Sequence, residues 1–188
     1  MQQSVKSNPQ QGQTILSDVE TIRQRARQNI DAGAVTPSYS ADREAVIRLL
    51  NDALATEVVC YLRYKRHYFM ADGIHAEAVS AEFLEHATQE QEHADRIAER
   101  IVQLGGAPDF SPDSLTARSH AQYVEGTSLA DMLRENLIAE RIAIESYREI
   151  AQYIGDKDPT TRRLMEEILA TEEEHADDLV SLMHGLKG

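Results

Sequence analysis

Four long stretches of the chain carry apolar residues at alternating steps of three and four, the spacing that gathers one face of an α-helix. The first reads Val46, Leu50, Ala53, Glu57, Cys60, Tyr64, His67, and the second Val79, Phe83, His86, Glu90, His93, Ile97, Ile101, Leu104. The third reads Leu129, Leu133, Leu137, Glu140, Ile144, Tyr147, Ala151, Ile154, and the fourth Met165, Ile168, Glu172, His175, Leu179, Leu182. Helix punctuation agrees with these four. Ser40 is the expected cap of a helix running to about Ala71, stopped by Asp72-Gly73. The second runs from about His75 to Leu104, stopped by Gly105-Gly106 and Pro108. Ser128 and Asp131 open the third, which ends at Gly155; Asp158-Pro159 opens the fourth, which reaches about Met183 before Gly185. Residues 105–127 hold Pro, Gly, Ser and Asp with little periodicity, and so many residues suit a crossover along a bundle. Two hairpins of long helices joined by one long crossover make an all-α four-helix bundle.

Upstream, residues 1–13 are polar and read as a disordered tail. Ser17 and Glu20 form a capping box for a short amphipathic helix through Val19, Ile22, Ala26 and Ile30, ending at Gly33. Ala34 to Tyr39, with Pro37, is a linker. The expected organisation is therefore tail, extra short N-terminal helix and linker over 1–39, then the bundle over 40–188. The short helix has weakly separated faces and nearly balanced charge, which suits packing on a neighbouring subunit better than on a membrane.

Composition narrows the class. A chain of 188 residues fits one domain, and 41% hydrophobic content excludes wholesale disorder. Aromatics are 5%, tryptophan is absent, and strand-like Val/Thr/Tyr runs are missing, so helix formers dominate. A net charge of −13 and a pI near 4.9 disfavour phosphate backbones, making DNA an unlikely partner. The same acidity serves solubility or attracts cations. Cys60 is the single cysteine, which rules out an intramolecular disulfide and a Cys₄ zinc site and reads as a small buried hydrophobe. No apolar run approaches the ~20 residues of a membrane span, and no hydrophobic export segment precedes the bundle. The expected location is cytoplasmic.

Every core stripe is interrupted near its middle by a glutamate. In the second and fourth a histidine follows at i+3, and Glu90/His93 and Glu172/His175 are the only Glu-x-x-His pairs in the chain. Taken singly, such a glutamate reads equally as a snorkelling or misregistered residue, and a lone histidine as a hydrogen-bonded core residue. The joint pattern is harder to explain that way. Glu57 precedes Glu90 by 33 residues and Glu140 precedes Glu172 by 32, so antiparallel hairpins bring all four to one height. Four buried carboxylates would repel and lose hydration at several kcal/mol each. Two divalent cations match their charge, and neutral imidazoles complete the coordination. One glutamate from each of two helices plus Glu-x-x-His from the other two is the known signature of ferritin-like di-iron and di-manganese proteins, so the constellation is recognised rather than discovered. Mixed carboxylate and imidazole donors suit Fe or Mn, and Zn also fits.

The segments Asn51 to His67 (NDALATEVVCYLRYKRH), Glu90 to Ile97 (EQEHADRI) and Glu172 to Leu179 (EEEHADDL) resemble the corresponding helices of bacterioferritin, over roughly residues 41–184. The resemblance implies a ferritin-like four-helix bundle and a ferroxidase that oxidises Fe(II) with O₂ or H₂O₂ and stores ferric iron in a homo-oligomeric shell. It implies two Fe per subunit. Glu57 and His93 would serve one, Glu140 and His175 the other, with Glu90 and Glu172 bridging. Tyr64 matches a family tyrosine able to supply an electron; its plain alternative is a core tyrosine bonded to a neighbour.

Two departures matter. Bacterioferritins bind haem through a methionine directly after the first Glu-x-x-His glutamate, and Gln91 stands there, which puts haem in doubt. Only 13 residues follow His175, too few for the fifth helix of 24-subunit ferritins, so a dodecamer is favoured. Dps-type DNA protection is the first alternative, weakened by a tail holding only Lys6 and by Arg23, Arg25 and Arg27 being offset by Asp18, Glu20 and Asp31. Others are a manganese catalase, a rubrerythrin-like peroxidase (which one cysteine cannot equip) and a metal-free structural bundle. His67, His86 and Asp95 stand either near an iron route or as satisfied or solvated helix residues.

Overall fold

The computed structural model describes residues 16–186, and the expected disordered tail at 1–13 lies outside them. The described residues form six α-helices and no strand: α1 (Val19–Ala26), α2 (Arg43–Met70), α3 (Ala76–Gln103), α4 (Pro112–Arg118), α5 (Leu129–Ile154) and α6 (Pro159–Gly185). The chain divides into two units between Ser38 and Tyr39.

The first unit contains α1 and a 3₁₀ turn, Ile30–Ala32. Its cap is Asp18 rather than Ser17: the Asp18 carboxylate accepts from the Thr21 amide at 3.0 Å and the Thr21 hydroxyl at 2.6 Å. The helix ends at Ala26, earlier than the periodicity suggests, because Asn29 turns left-handed (φ 50°) and Gly33 follows with φ 58°.

In the second unit α2 packs on α3 and α5 on α6, giving two hairpins whose long helices form the bundle. Asp42, not Ser40, caps α2, accepting from the Ala45 amide at 3.1 Å. Ser128 and Asp158 cap α5 and α6 as expected. The first three stripes bury as read except Leu129, Leu137 and Ile144, and the fourth except Leu182, each of these being half-buried.

The crossover is more ordered than its composition suggests. It contains α4, whose Leu115 packs against Ala55 and Val59 of α2. It runs along α2 in one direction, tied by side chains that reach its backbone. Asn51 bonds the Ala107 carbonyl and the Asp109 amide, Thr56 accepts from the His120 amide, and Arg63 donates to the Gln122 carbonyl. His67 Nε2 lies 3.1 Å from the Val124 and Glu125 carbonyls. The crossover therefore returns the chain to the far end of α2, so that α5 descends antiparallel to it.

At the opposite end, Arg100 in the last turn of α3 donates to both Asp158 oxygens at 3.0 Å and to the Thr161 hydroxyl at 2.8 Å. Tyr39 donates to the same carboxylate at 2.9 Å. This buried cluster fixes the height of α6 against α3, and with it the register of the glutamates.

Candidate metal centre

Glu57 on α2, Glu90 and His93 on α3, Glu140 on α5, and Glu172 and His175 on α6 are all buried at mid-bundle. They fall into two overlapping groups. In one, ligand atoms of Glu57, Glu90, His93 and Glu172 lie within 4.8 Å of one another; in the other, Glu90, Glu140, Glu172 and His175 do. Glu90 and Glu172 belong to both. The six sequence candidates are thus brought together without exception.

Both histidines present Nδ1 to the centre. His93 Nδ1 lies 3.0 Å from Glu172 and 3.3 Å from Glu57. His175 Nε2 is 2.6 Å from the Gln89 amide oxygen, which must accept, so the ring proton sits on Nε2 and Nδ1 is a free lone pair. That lone pair faces Glu172 at 3.2 Å and Glu90 at 3.7 Å without hydrogen-bond geometry. Unpartnered buried polar atoms concentrate here: Glu90 Oε1, Glu140 Oε2, both Glu172 oxygens and His175 Nδ1. Buried polar groups are rarely left unpaired, and this donor set fits two divalent cations.

Without cations the site holds protons instead. Burial first, then the neighbouring carboxylates, push Glu90 well above the usual carboxylate range. Burial and Glu172 raise Glu140 to about 8, and burial and Glu57 raise Glu172 to about 6. Burial pushes Glu57 up too, but hydrogen bonds with Glu90 and His93 outweigh it and leave Glu57 low. Burial opposes charge on His93, yet Glu172 and Glu57 together raise it to about 10.

Tyrosines hold the outer carboxylates crosswise. Tyr64 of α2 donates to Glu140 of α5, and Tyr147 of α5 donates to Glu57 of α2. Burial, then the nearby glutamates, raise both phenols well above their usual value, so each stays a donor. Its stripe alone places Tyr147 in the core. Its signal was present: it follows Glu140 by seven residues, as Tyr64 follows Glu57. Gln89, Arg63 and Asn136 gave no signal. Arg63 is buried, donating to Asn136 Oδ1 at 2.8 Å and approaching the Cys60 sulfur at 3.7 Å. It places a cation behind Tyr64 and Glu140.

Of the remaining candidates, His86 alone joins the centre, with a ligand atom within 4.8 Å of those of Glu140 and His175. His67 is buried and bonded to Asn136 and the crossover carbonyls, a structural role. Asp95 is exposed on α3, and Gln91 is exposed too. Cys60 is buried and burial pushes its thiol far up, leaving it inert. His86 is buried, stacked on His175 at 3.9 Å between ring centroids, and held down to about 3 by burial and His175.

Comparison with known proteins gives the chain a family. The ferritin-like domain family matches residues 47–188. The chain belongs to that family. Among relatives of this ferritin-like protein, the bacterioferritin of Desulfovibrio desulfuricans is 29% identical over 136 residues, 71% of this chain and 72% of the relative. The DNA protection during starvation protein of Halobacterium salinarum is 33% identical over 142 residues, 71% of this chain and 76% of the relative. Among known structures, a dodecameric thioferritin, the bacterioferritin-related protein of Bacteroides fragilis, superposes with a TM-score of 0.75 at 35% identity. It covers 78% of this chain and 88% of its own. No helix among the described residues is long and apolar enough to cross a membrane.

Proposed function

We propose that this ferritin-like protein is a ferroxidase that takes up two Fe(II) as substrate at Glu57, Glu90, His93, Glu140, Glu172 and His175, oxidises them with O₂ or H₂O₂, and stores the ferric product in a homo-oligomeric shell. The observation that carries the reading is the sharing of Glu90 and Glu172 between two four-ligand groups. Two ions so held each give up one electron, and a paired delivery limits one-electron reduction of the oxidant.

The residues divide the work. Glu90 and Glu172 span both positions; Glu57 with His93 and Glu140 with His175 complete them. The protons held on Glu90, Glu140 and His93 leave as the ions enter, because ligands must be deprotonated. Tyr64 and Tyr147 orient the outer carboxylates, and Tyr64 is the nearer candidate for a further electron, bonded to Glu140 on one side and to His86 on the other. We favour a dodecamer, the assembly of the Bacteroides fragilis relative. Haem is no part of this reading, since Gln91 occupies the position where a methionine would be needed. Manganese and zinc remain competing ions for the same donors.

A second reading comes from the relatives named for DNA protection, 33% identical in one case. The charge of −13 argues against a phosphate-binding surface. Retardation of duplex DNA at low salt, lost as salt rises, is the result that would promote this reading.

The decisive experiment is anaerobic Fe(II) titration of metal-free protein, followed by mixing with O₂ or H₂O₂ while near-ultraviolet absorbance is recorded. Rapid ferric formation that disappears in Glu90→Ala is the expected result. Oxidation no faster than in buffer overturns the iron-oxidising reading in favour of manganese chemistry or a structural bundle.

A further inference from the structure

Among the described residues, one group of possible ligands lies wholly outside the six. Glu82 and His86 stand a turn apart on α3, Asp178 faces them from α6, and one ligand atom from each lies within 4.8 Å of the others. Acidic side chains often gather on helical surfaces without purpose, so the case rests on His86.

His86 is 1% exposed and its two ring nitrogens have different surroundings. Nδ1 lies 3.1 Å from the Tyr64 hydroxyl oxygen. Tyr64 gives its own proton to Glu140, so its oxygen accepts and His86 Nδ1 carries the ring proton. Nε2 is then a bare lone pair. It has no hydrogen-bond partner, and it lies 3.2 Å from Glu82 Oε1 and 3.9 Å from Asp178 Oδ2. A buried lone pair beside two carboxylates is repulsive unless a proton or a metal cation lies among them. One imidazole nitrogen and two carboxylate oxygens suit a borderline divalent ion.

Placement adds a direction. Side-chain exposure falls from 46% at Asp178 through 28% at Glu82 to 1% at His86, and His175 lies directly behind. The three groups form a graded path from solvent to the dinuclear pair.

We propose that Glu82, His86 and Asp178 form a third, mononuclear divalent-cation site, and that ions captured there pass to the dinuclear centre. The binding half stands on its own geometry; the transfer half rests on the dinuclear reading above.

Anaerobic calorimetric titration with Co(II) tests it, using the full chain in three forms. The expected stoichiometries are three per chain for the wild type, two for Glu82→Gln/Asp178→Asn, and one for Glu90→Ala/Glu172→Ala. The first double variant changes two partly exposed carboxylates isosterically, and its melting temperature reports whether the bundle is intact. Equal stoichiometry in the wild type and Glu82→Gln/Asp178→Asn overturns the third site and leaves a proton shared between Glu82 and His86 Nε2. Loss of one ion in that variant, with no change in Glu90→Ala/Glu172→Ala, upholds the third site while removing the dinuclear one. Stopped-flow Co(II) loading tests transfer. The rate at the dinuclear centre falls about tenfold in Glu82→Gln/Asp178→Asn, the lower end of what a focusing charged entrance supplies. An unchanged rate overturns the relay.

Discussion

The Tyr147 hydroxyl of α5 is hydrogen-bonded to Glu57 of α2, holding a carboxylate that its own helix leaves free to rotate. Outer-shell partners of this kind orient a ligand and tune its basicity, and their loss costs roughly 10–100-fold in metal affinity. Tyr147→Phe is therefore expected to weaken Zn(II) binding at the Glu57 and His93 position about tenfold, read by competition with a chromophoric chelator. Unchanged affinity would reduce Tyr147 to packing.

Gln89 does the same for His175 from the opposite side, by accepting its Nε2 proton. In Gln89→Leu the ring is free to change tautomer and turn its proton toward Glu172. A loss of about tenfold in affinity is expected at the position of Glu140 and His175. Nitrogen chemical shifts of His175 report the tautomer directly; a shift pattern identical to the wild type would show that something other than Gln89 sets it.

The metal-free protein is expected to lose stability as pH rises. Glu140 is raised from 4.5 to about 8 and Glu172 from 4.5 to about 6, chiefly by burial. Between those limits the folded chain binds protons that the unfolded chain does not, so this contribution is complete below about 4.5 and is lost through about 8. His93, raised from 6.5 to about 10 because its carboxylate partners outweigh burial, has the same sign over a higher window. Glu57 works oppositely at the acid end. Metal binding needs these groups deprotonated, so the stabilisation by saturating Zn(II) grows over the same range. Scanning calorimetry at several pH values checks both trends. A metal-free melting temperature that rises through neutrality would contradict the buried protonated cluster.

Asp158 caps α6 and pairs with Arg100 inside the bundle. Asp158→Ala removes the cap and leaves a buried guanidinium unpaired, a change worth about 3 kcal/mol. Urea unfolding of the metal-free protein measures it. Asp158→Asn keeps the cap and is expected to lose less, which separates the two contributions.

How much of this was legible depends on range. Helix ends marked by Ser128, Gly155, Asp158 and Pro159 were readable because a cap acts within three or four residues of its target. Asp18 and Asp42 were missed because Ser17 and Ser40 are equally good caps within two residues, and composition does not choose between them. Helix α4 was missed because a seven-residue helix has no period long enough to detect; Leu115 is its only buried residue, and contact with Ala55 and Val59 holds it.

The chain by itself determined the six ligand candidates, since helical periodicity places Glu57, Glu90, His93, Glu140, Glu172 and His175 on inward faces, and near-equal hairpin spacing puts them at one height. Tertiary structure alone decided which groups support them. Gln89, Arg63 and Asn136 act by reaching across to another helix or to the crossover, and His86 turns a bare nitrogen outward because Tyr64 has spent its proton on Glu140. Such choices depend on where a side chain ends, and a linear pattern records only where it begins.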